Sequence, residues 1–315
     1  MKVLIALGGN AIKKREQAGT SSEQLLNVEK TCKRILEIVK LGSRVVIIHG
    51  NGPQVGNLLI QQEEGKNVVP EQPLDVLGAM TQGQVGYMIQ QTLENYFIDV
   101  DLNIPVITMI TQVLVDENDP DFDDPSKPIG PFYTEIEAER LQKEKGYTIK
   151  KVDPQKNRPY RRVVPSPIPI DIIEKEAVKR IVDSGIVLIS SGGGGVPVVL
   201  KDNGRLVGVE AVIDKDLAGE LLAEIIEADI FISLTDVDNA KVNYGKPDEE
   251  DLQTVSLTTV QKYYNEGHFL PGSMGPKVLA CIKFLKSGGK KAIITSLEKA
   301  LESLEGKAGT IILPT

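Results

Sequence analysis

The chain has 315 residues, a formal net charge of −8, and 41% apolar and 25% charged residues. It is long enough to bury a large core, and an acidic chain is a poor general nucleic-acid binder, because that affinity rests on neutralising phosphates. No apolar run approaches the ~18 residues of a membrane span, and two cysteines with two histidines leave little material for a disulfide framework or a zinc site.

The chain opens on KVLIAL (2–7), an unalternated apolar run of the kind that forms a strand buried on both faces. Its apolar stretch is too short for a signal peptide, and glycines stand where a cleavage site would, so a cytoplasmic protein is expected. SSEQLLNVEKTCKRILEIVKLG reads as a helix with Leu25, Cys32, Ile35, Leu36 and Val39 on one face. Ser21 with Gln24 is its expected capping box, and Gly42 its stop. RVVIIH (44–49) is the next strand. MTQGQVGYMIQQTLENYF (80–97) reads as a core helix in which Gly83 and Gly86 permit close packing, with a share in a dimer interface as a secondary reading. PVITMIT (105–111) is a further strand.

Residues 116–169 break the rhythm, with nine of the eighteen prolines, many charges and one plain helix, TEIEAERLQKEKG. Aromatics and the RRVVP run inside it predict an ordered insertion projecting from the sheet. Beyond it come the strand IVLISS (186–191) and the helix DLAGELLAEIIEA, striped by Leu217, Leu221, Leu222 and Ile225. The strand DIFISL (229–234) follows, then PKVLACIKFLKSGG, a helix from Pro276 to Gly288, then KAIIT (291–295) and TIILP (310–314). Alternating strands and helices predict an α/β fold, a largely parallel sheet covered by helices on both faces. Cys32 and Cys281 lie in helical patterns and are expected to be reduced core residues. There is no clean internal repeat.

In an open parallel sheet, ligands bind beyond the carboxyl ends of the strands. Four such ends are rich in glycine or short polar groups: Gly8-Gly9-Asn10, Gly50-Asn51-Gly52, Gly192 to Gly195, and Thr235-Asp236-Val237-Asp238. None is a Walker loop, since no Gly-Lys pair is followed by Ser or Thr. GNGPQVG (50–56) has one residue too many for a dinucleotide fingerprint. Asp214 and Asp216 suit the positive start of a helix, but Lys215 between them does not: either it is solvated or an anion sits there. Lys277 repeats the theme after Gly272 and Gly275. Two such lysines beside glycine loops point to a phosphate-handling site. His49 is either a core histidine or a substrate contact, and His268 is structural or solvated. Arg161 and Arg162 either line the insertion's inner face or are exposed. Tyr244 either stacks on adenine or needs no ligand.

The segments LIALGGNAI, VIIHGNGPQVGNLL, KPIGPFY, RRVVPSP, SSGGGGVPV, VEAVIDKDLAGELLA, LTDVDNA and EGHFLPGSMGPKVLA together resemble the carbamate kinases, a branch of the amino-acid-kinase superfamily. The resemblance runs from Lys2 to Pro314. It implies a three-layer αβα sandwich forming one domain over 1–315. Its N-terminal lobe, to about 205, would carry the carbamate side and a protruding subdomain at about 116–169; the C-terminal lobe, from about 206, would carry the nucleotide side. It further implies a homodimer and reversible phosphotransfer between ATP and carbamate, giving ADP and carbamoyl phosphate, with Mg²⁺ held by nucleotide phosphates and waters and no protein metal site. By position, Gly8, Gly9, Asn10, Gly50, Asn51 and Gly52 would surround carbamate and the travelling phosphoryl group, with Gly192, Gly193 and Gly194 as one wall. Lys127 would reach over the substrate. Lys215 and Lys277 would hold the phosphates, oriented by Asp216 and Asp214. Thr235, Asp236, Val237, Tyr244 and the loop Gly272, Ser273, Met274, Gly275 would form the nucleotide side. Related kinases carry a lysine where this chain has Ala6, and Lys127 would supply that charge. The alternatives are a non-catalytic sensor of a nucleotide or small acid, and a kinase for another small carboxylate.

Overall fold

A computed structural model describes residues 1–14 and 16–315. The first half of the chain gives β1 (Lys2–Leu7), α1 (Ser21–Lys40), β2 (Arg44–His49), α2 (Gly52–Gly65), α3 (Leu74–Asp99), β3 (Val106–Met109) and β4 (Gln112–Val115). The insertion gives β5 (Lys127–Tyr133), α4 (Glu135–Lys145), β6 (Ile149–Lys151) and β7 (Tyr160–Val164). Then come β8 (Pro169–Ile172), α5 (Lys175–Asp183), β9 (Val187–Ser190), β10 (Val196–Leu200), β11 (Leu206–Gly208), α6 (Lys215–Ile225) and β12 (Ile230–Thr235). The remainder is β13 (Lys241–Val242), β14 (Glu250–Asp251), β15 (Thr254–Ser256), α7 (Leu257–Asn265), α8 (Met274–Lys286), β16 (Lys291–Ser296), α9 (Ala300–Leu304) and β17 (Thr310–Leu313).

The central sheet has eight strands in the order β15-β17-β16-β12-β1-β2-β9-β3. Its neighbours run parallel except β16 and β17. Because side chains alternate along a strand, each strand feeds two cores. Leu4, Val46, Phe231 and Ile294 pack under α6 and α8, with Leu222, Val278 and Ile282. Val3, Ile5, Ile47 and Ile293 pack under α1 and α3, with Cys32, Ile35, Ile89 and Phe97. The result is the αβα sandwich, with the sheet continuous through both expected lobes. Among the described residues, no helix is long and apolar enough to cross a membrane.

Local chemistry corrects three expectations. The cap of α1 is Thr20 with Glu23, one residue earlier than Ser21 with Gln24; Thr20 Oγ1 accepts from Glu23 N and Glu23 accepts from Thr20 N. Gly86 is needed, since a Cβ there would stand 2.2 Å from Thr108 Cγ2, but a Cβ at Gly83 would meet nothing within 4 Å. The run 105–111 forms a strand, β3, that ends at Met109, short of Thr111. At Thr111 the chain leaves the central sheet, and the Gln82 carboxamide takes over both backbone groups, accepting from Thr111 N at 3.1 Å and donating to Thr111 O at 3.2 Å. The chain then enters a second sheet, β11-β10-β4-β8.

The insertion is an ordered arm. β5, β7 and β6 form an antiparallel sheet, and α4 is capped by Thr134 with Glu137 and stopped by left-handed Gly146. A small core of Ala138, Leu141 and Ile149 holds α4 to the arm's strands. The arm meets the body through Ile129 and Val164, packed on Val55, Leu74 and Leu77.

Candidate active site

Gly8 and Gly50 end adjacent parallel strands. Gly8 N donates to Leu234 O, and Gly50 N to Leu7 O. A Cβ at Gly8 would stand 3.0 Å from Leu234 O, and one at Gly50 would make an ordinary contact at 3.5 Å with Lys215 Cδ, which places the lysine stem beside this turn. Gly9 and Gly52 have open space where a Cβ would be. Asn51 Nδ2 donates to Thr81 Oγ1 at 2.8 Å. Asn10 Nδ2 reaches Asp236 Oδ2 at 3.4 Å, joining the loop after β1 to the loop after β12.

The four glycines are buried, and each faces protein. Gly193, Gly194 and Gly195 have φ of +70°, +100° and +85°. Added Cβ atoms at Gly192, Gly193, Gly194 and Gly195 would fall 2.4 Å from the His49 ring, 2.1 Å from Asn51 Nδ2, 2.5 Å from Ile213 O and 2.3 Å from Val113 Cγ2. The turn lets the segment before α6 lie directly on it. Ser191, itself left-handed, is fixed by Thr111, whose hydroxyl accepts from Ser191 N at 2.9 Å.

That segment, residues 209–214, alternates. Ala211 and Ile213 are buried against the body. Glu210, Val212 and Asp214 meet the arm: Glu210 pairs with Arg162 at 2.9 Å, Val212 N donates to Pro165 O at 2.9 Å, and Asp214 pairs with Lys127 at 2.9 Å. Asp214 also caps α6, its Oδ1 accepting from Asp216 N. The next turn carries the centre of the site. Asp216 is buried, with Lys215 Nζ on Oδ1 and Lys277 Nζ on Oδ2, both at 2.9 Å. Ser233 Oγ donates to Oδ1 at 2.8 Å. Lys277 comes from the first turns of α8, whose glycines serve the approach: Gly272 has φ +77°, and Gly275 N donates to Leu270 O. Ser273 stands at the N-cap without a side-chain bond to the helix, and Met274 opens it.

Burial lowers the Lys215 ammonium to about 8, with Lys277 adding to the effect and Asp216 opposing it. Lys277 is held above its ordinary value: burial opposes this, and Asp216 outweighs burial. Burial disfavours the Asp216 carboxylate, yet the two ammoniums hold it well below the usual range. Asp214 is likewise lowered against its burial, by Lys127 and Lys215. Burial lowers His49 to about 4, and its Nδ1 lies 3.0 Å from Gly50 O, so it is a neutral core histidine that supports the turn.

Lys127, Asp214, Lys215, Asp216 and Lys277 are therefore brought together from the arm, the segment before α6, α6 and α8. Thr235, at the end of β12, donates to Asp236 Oδ1. Val237 is exposed, and Tyr244, 62% exposed, stands in the connection between β13 and β14. His268 Nδ1 accepts weakly from Asn243 N, and the ring sits edge-on to Tyr263. Arg161 donates to Gly130 O, while Arg162 is buried. Sequence reasoning missed Ser233, Thr81, Thr111 and Glu210, each of which acts through a partner distant in the chain. No group of three His, Cys, Asp or Glu side chains that could hold a metal occurs among the described residues.

Residues 1–296 match the Amino acid kinase family. The chain is 54% identical over 315 residues to the carbamate kinase of Pyrococcus horikoshii, covering 99% of each. The chain belongs to the amino acid kinase family, among its carbamate kinases. It is also 49% identical over 317 residues to the carbamate kinase of Clostridium perfringens, covering 99% of this amino acid kinase and 100% of that one. The solved carbamate kinase from Giardia lamblia bound to AMP-PNP superposes with a TM-score of 0.93 at 43% identity, covering 99% of this chain and 98% of that chain.

Proposed function

We propose that this kinase moves a phosphoryl group between ATP and carbamate, reversibly, at the cleft between the arm and the start of α6. One observation carries the reading: the buried Asp216 carboxylate holds Lys215 and Lys277 at 2.9 Å each, next to the Lys127–Asp214 pair. Phosphoryl transfer needs positioning and charge neutralisation more than covalent chemistry from the protein. Lys215 and Lys277 each keep donors beyond the one given to Asp216, and those are free for phosphate oxygens. Lys127, from the arm, faces the same place and supplies the charge that Ala6, buried in the core, does not. Carbamate is already an anion, so its attacking oxygen needs no general base. The buried neutral imidazole of His49 fits that economy.

The donor set suits a metal that arrives with the nucleotide. Asp214 and Asp216 are occupied by lysines, and Asp236, with Asn10 beside it, is an exposed carboxylate at the strand ends, as is Asp238. Mg²⁺ prefers phosphate oxygens and waters with one or two carboxylates. Bound with the nucleotide, such an ion would supply charge neutralisation at the phosphates. The protein would act as a homodimer, for which exposed Met80 and Tyr87 on α3 and Ile107 on the edge strand β3 offer an apolar surface.

The test is ATP formation from ADP and carbamoyl phosphate with Mg²⁺, and the reverse reaction with ammonia and bicarbonate. Turnover is expected in both directions; a folded protein that binds ADP and turns over neither way would overturn the assignment. A panel of other small carboxylates decides specificity.

A further inference from the structure

We infer that Arg162 and Glu210 are positioning residues that set where Lys127 stands, by tying the arm to the segment that leads into α6. Arg162 lies on the middle strand of the arm's sheet, opposite Ile129 on β5, and Val164 lies opposite Lys127. Directly paired side chains share a sheet face. Arg162, Val164, Lys127 and Ile129 therefore look the same way, onto a face shared by the body, where Ile129 and Val164 pack on Val55, Leu74 and Leu77, and by α4, where Ile149 opposite Arg162 packs on Ala138 and Leu141.

The facing segment answers in the same period. Glu210 takes Arg162, Val212 joins the apolar contact, and Asp214 takes Lys127. The two ionic ties flank one apolar patch, but they are not equivalent. Lys127 belongs to the proposed substrate cleft, where its ammonium has donors beyond the one given to Asp214 to turn to an anionic substrate. Arg162 is only 8% exposed, and its guanidinium lies 3.9 Å from the Tyr147 ring centroid. It is built into the arm, and the carboxylate it reaches belongs to the body. Burial and the Tyr147 ring hold the guanidinium in place, so this tie fixes the arm whatever Lys127 binds. Planar guanidinium geometry also fixes orientation, which an ammonium would not. The pair thus keeps Lys127 within reach during turnover. The consequence for catalysis rests on the proposed function; the tie itself does not.

Glu210 is 57% exposed, so Glu210→Gln removes the charge at little risk to folding. Two measurements decide the matter. Amide hydrogen exchange of the ligand-free protein should quicken across 127–164 in Glu210→Gln while α1 and α3 stay as in the wild type. Steady-state kinetics should show kcat/KM for carbamoyl phosphate reduced on the order of tenfold, as expected for a misplaced positioning group, with KM for ADP unchanged. Arg162→Lys, which keeps the charge but loses the planar group and its stack on the Tyr147 ring, should fall between the wild type and Glu210→Gln. Unchanged exchange in the arm, or an equal loss toward ADP, would overturn the inference. If the wild type transfers no phosphoryl group, the activity assignment falls, and hydrogen exchange still decides the tie.

Discussion

At the residue scale, Asp216 organises the site. A lysine at a helix N-terminus is electrostatically misplaced, and the cost is offset by a buried carboxylate that serves two ammoniums at once. Lys215 is left at about 8, so in the free protein it is charged below that pH and increasingly neutral above it. Bound phosphates favour the charged form and raise its pKa. ADP binding at pH 8 should therefore take up a proton, and affinity should decline as pH rises through about 8. Calorimetry in two buffers of different ionisation enthalpy reads the uptake directly; a buffer-independent enthalpy would refute it. In Asp216→Asn the opposing carboxylate is gone, so the decline should move to lower pH and most activity at neutral pH should be lost.

At the element scale, the glycine turn, the 209–214 segment and the start of α6 form one stack. The turn is glycine because protein backbone and side chains lie where Cβ atoms would be, as Ile213 O shows at Gly194. Gly194→Ala has both a left-handed φ and an unyielding carbonyl against it, and should destabilise by about 2 kcal/mol or more, seen as a lower melting temperature. Gly193→Ala meets the Asn51 side chain, so it should disturb the Asn51–Thr81 bond and impair carbamoyl phosphate use more than ADP binding. Equal stability losses with no kinetic difference between the two would contradict this division. The strands and helices of this stack were readable beforehand. IVLISS and DLAGELLAEIIEA carry their periods locally, and Asp214 announces itself as a cap. The turn's neighbours were not readable, because Val113, Asn51 and Ile213 arrive from three separate parts of the chain.

At the scale of the whole molecule, the sheet separates two cores, and each holds one cysteine. Cys32 and Cys281 are fully buried on opposite faces, and burial pushes both thiols up. Neither should react with a thiol reagent in the native state; both should become reactive together across the denaturant transition, because exposing either means opening a face of the sheet. Rapid native labelling of one thiol would show that the two cores do not open as a unit.

By itself the sequence determined the strand–helix alternation, the αβα class, the glycine-rich strand ends and the misplaced lysines at two helix starts. These are short-range signals: hydrophobic period, capping chemistry and charge against a helix dipole act within a few residues. Tertiary structure alone decided that Lys127 meets Asp214, that Arg162 meets Glu210, that Ser233 completes Asp216, and that the four glycines face protein. Each of these joins side chains far apart in the chain, and their distance is fixed only when the sheet, the arm and α6 pack against one another.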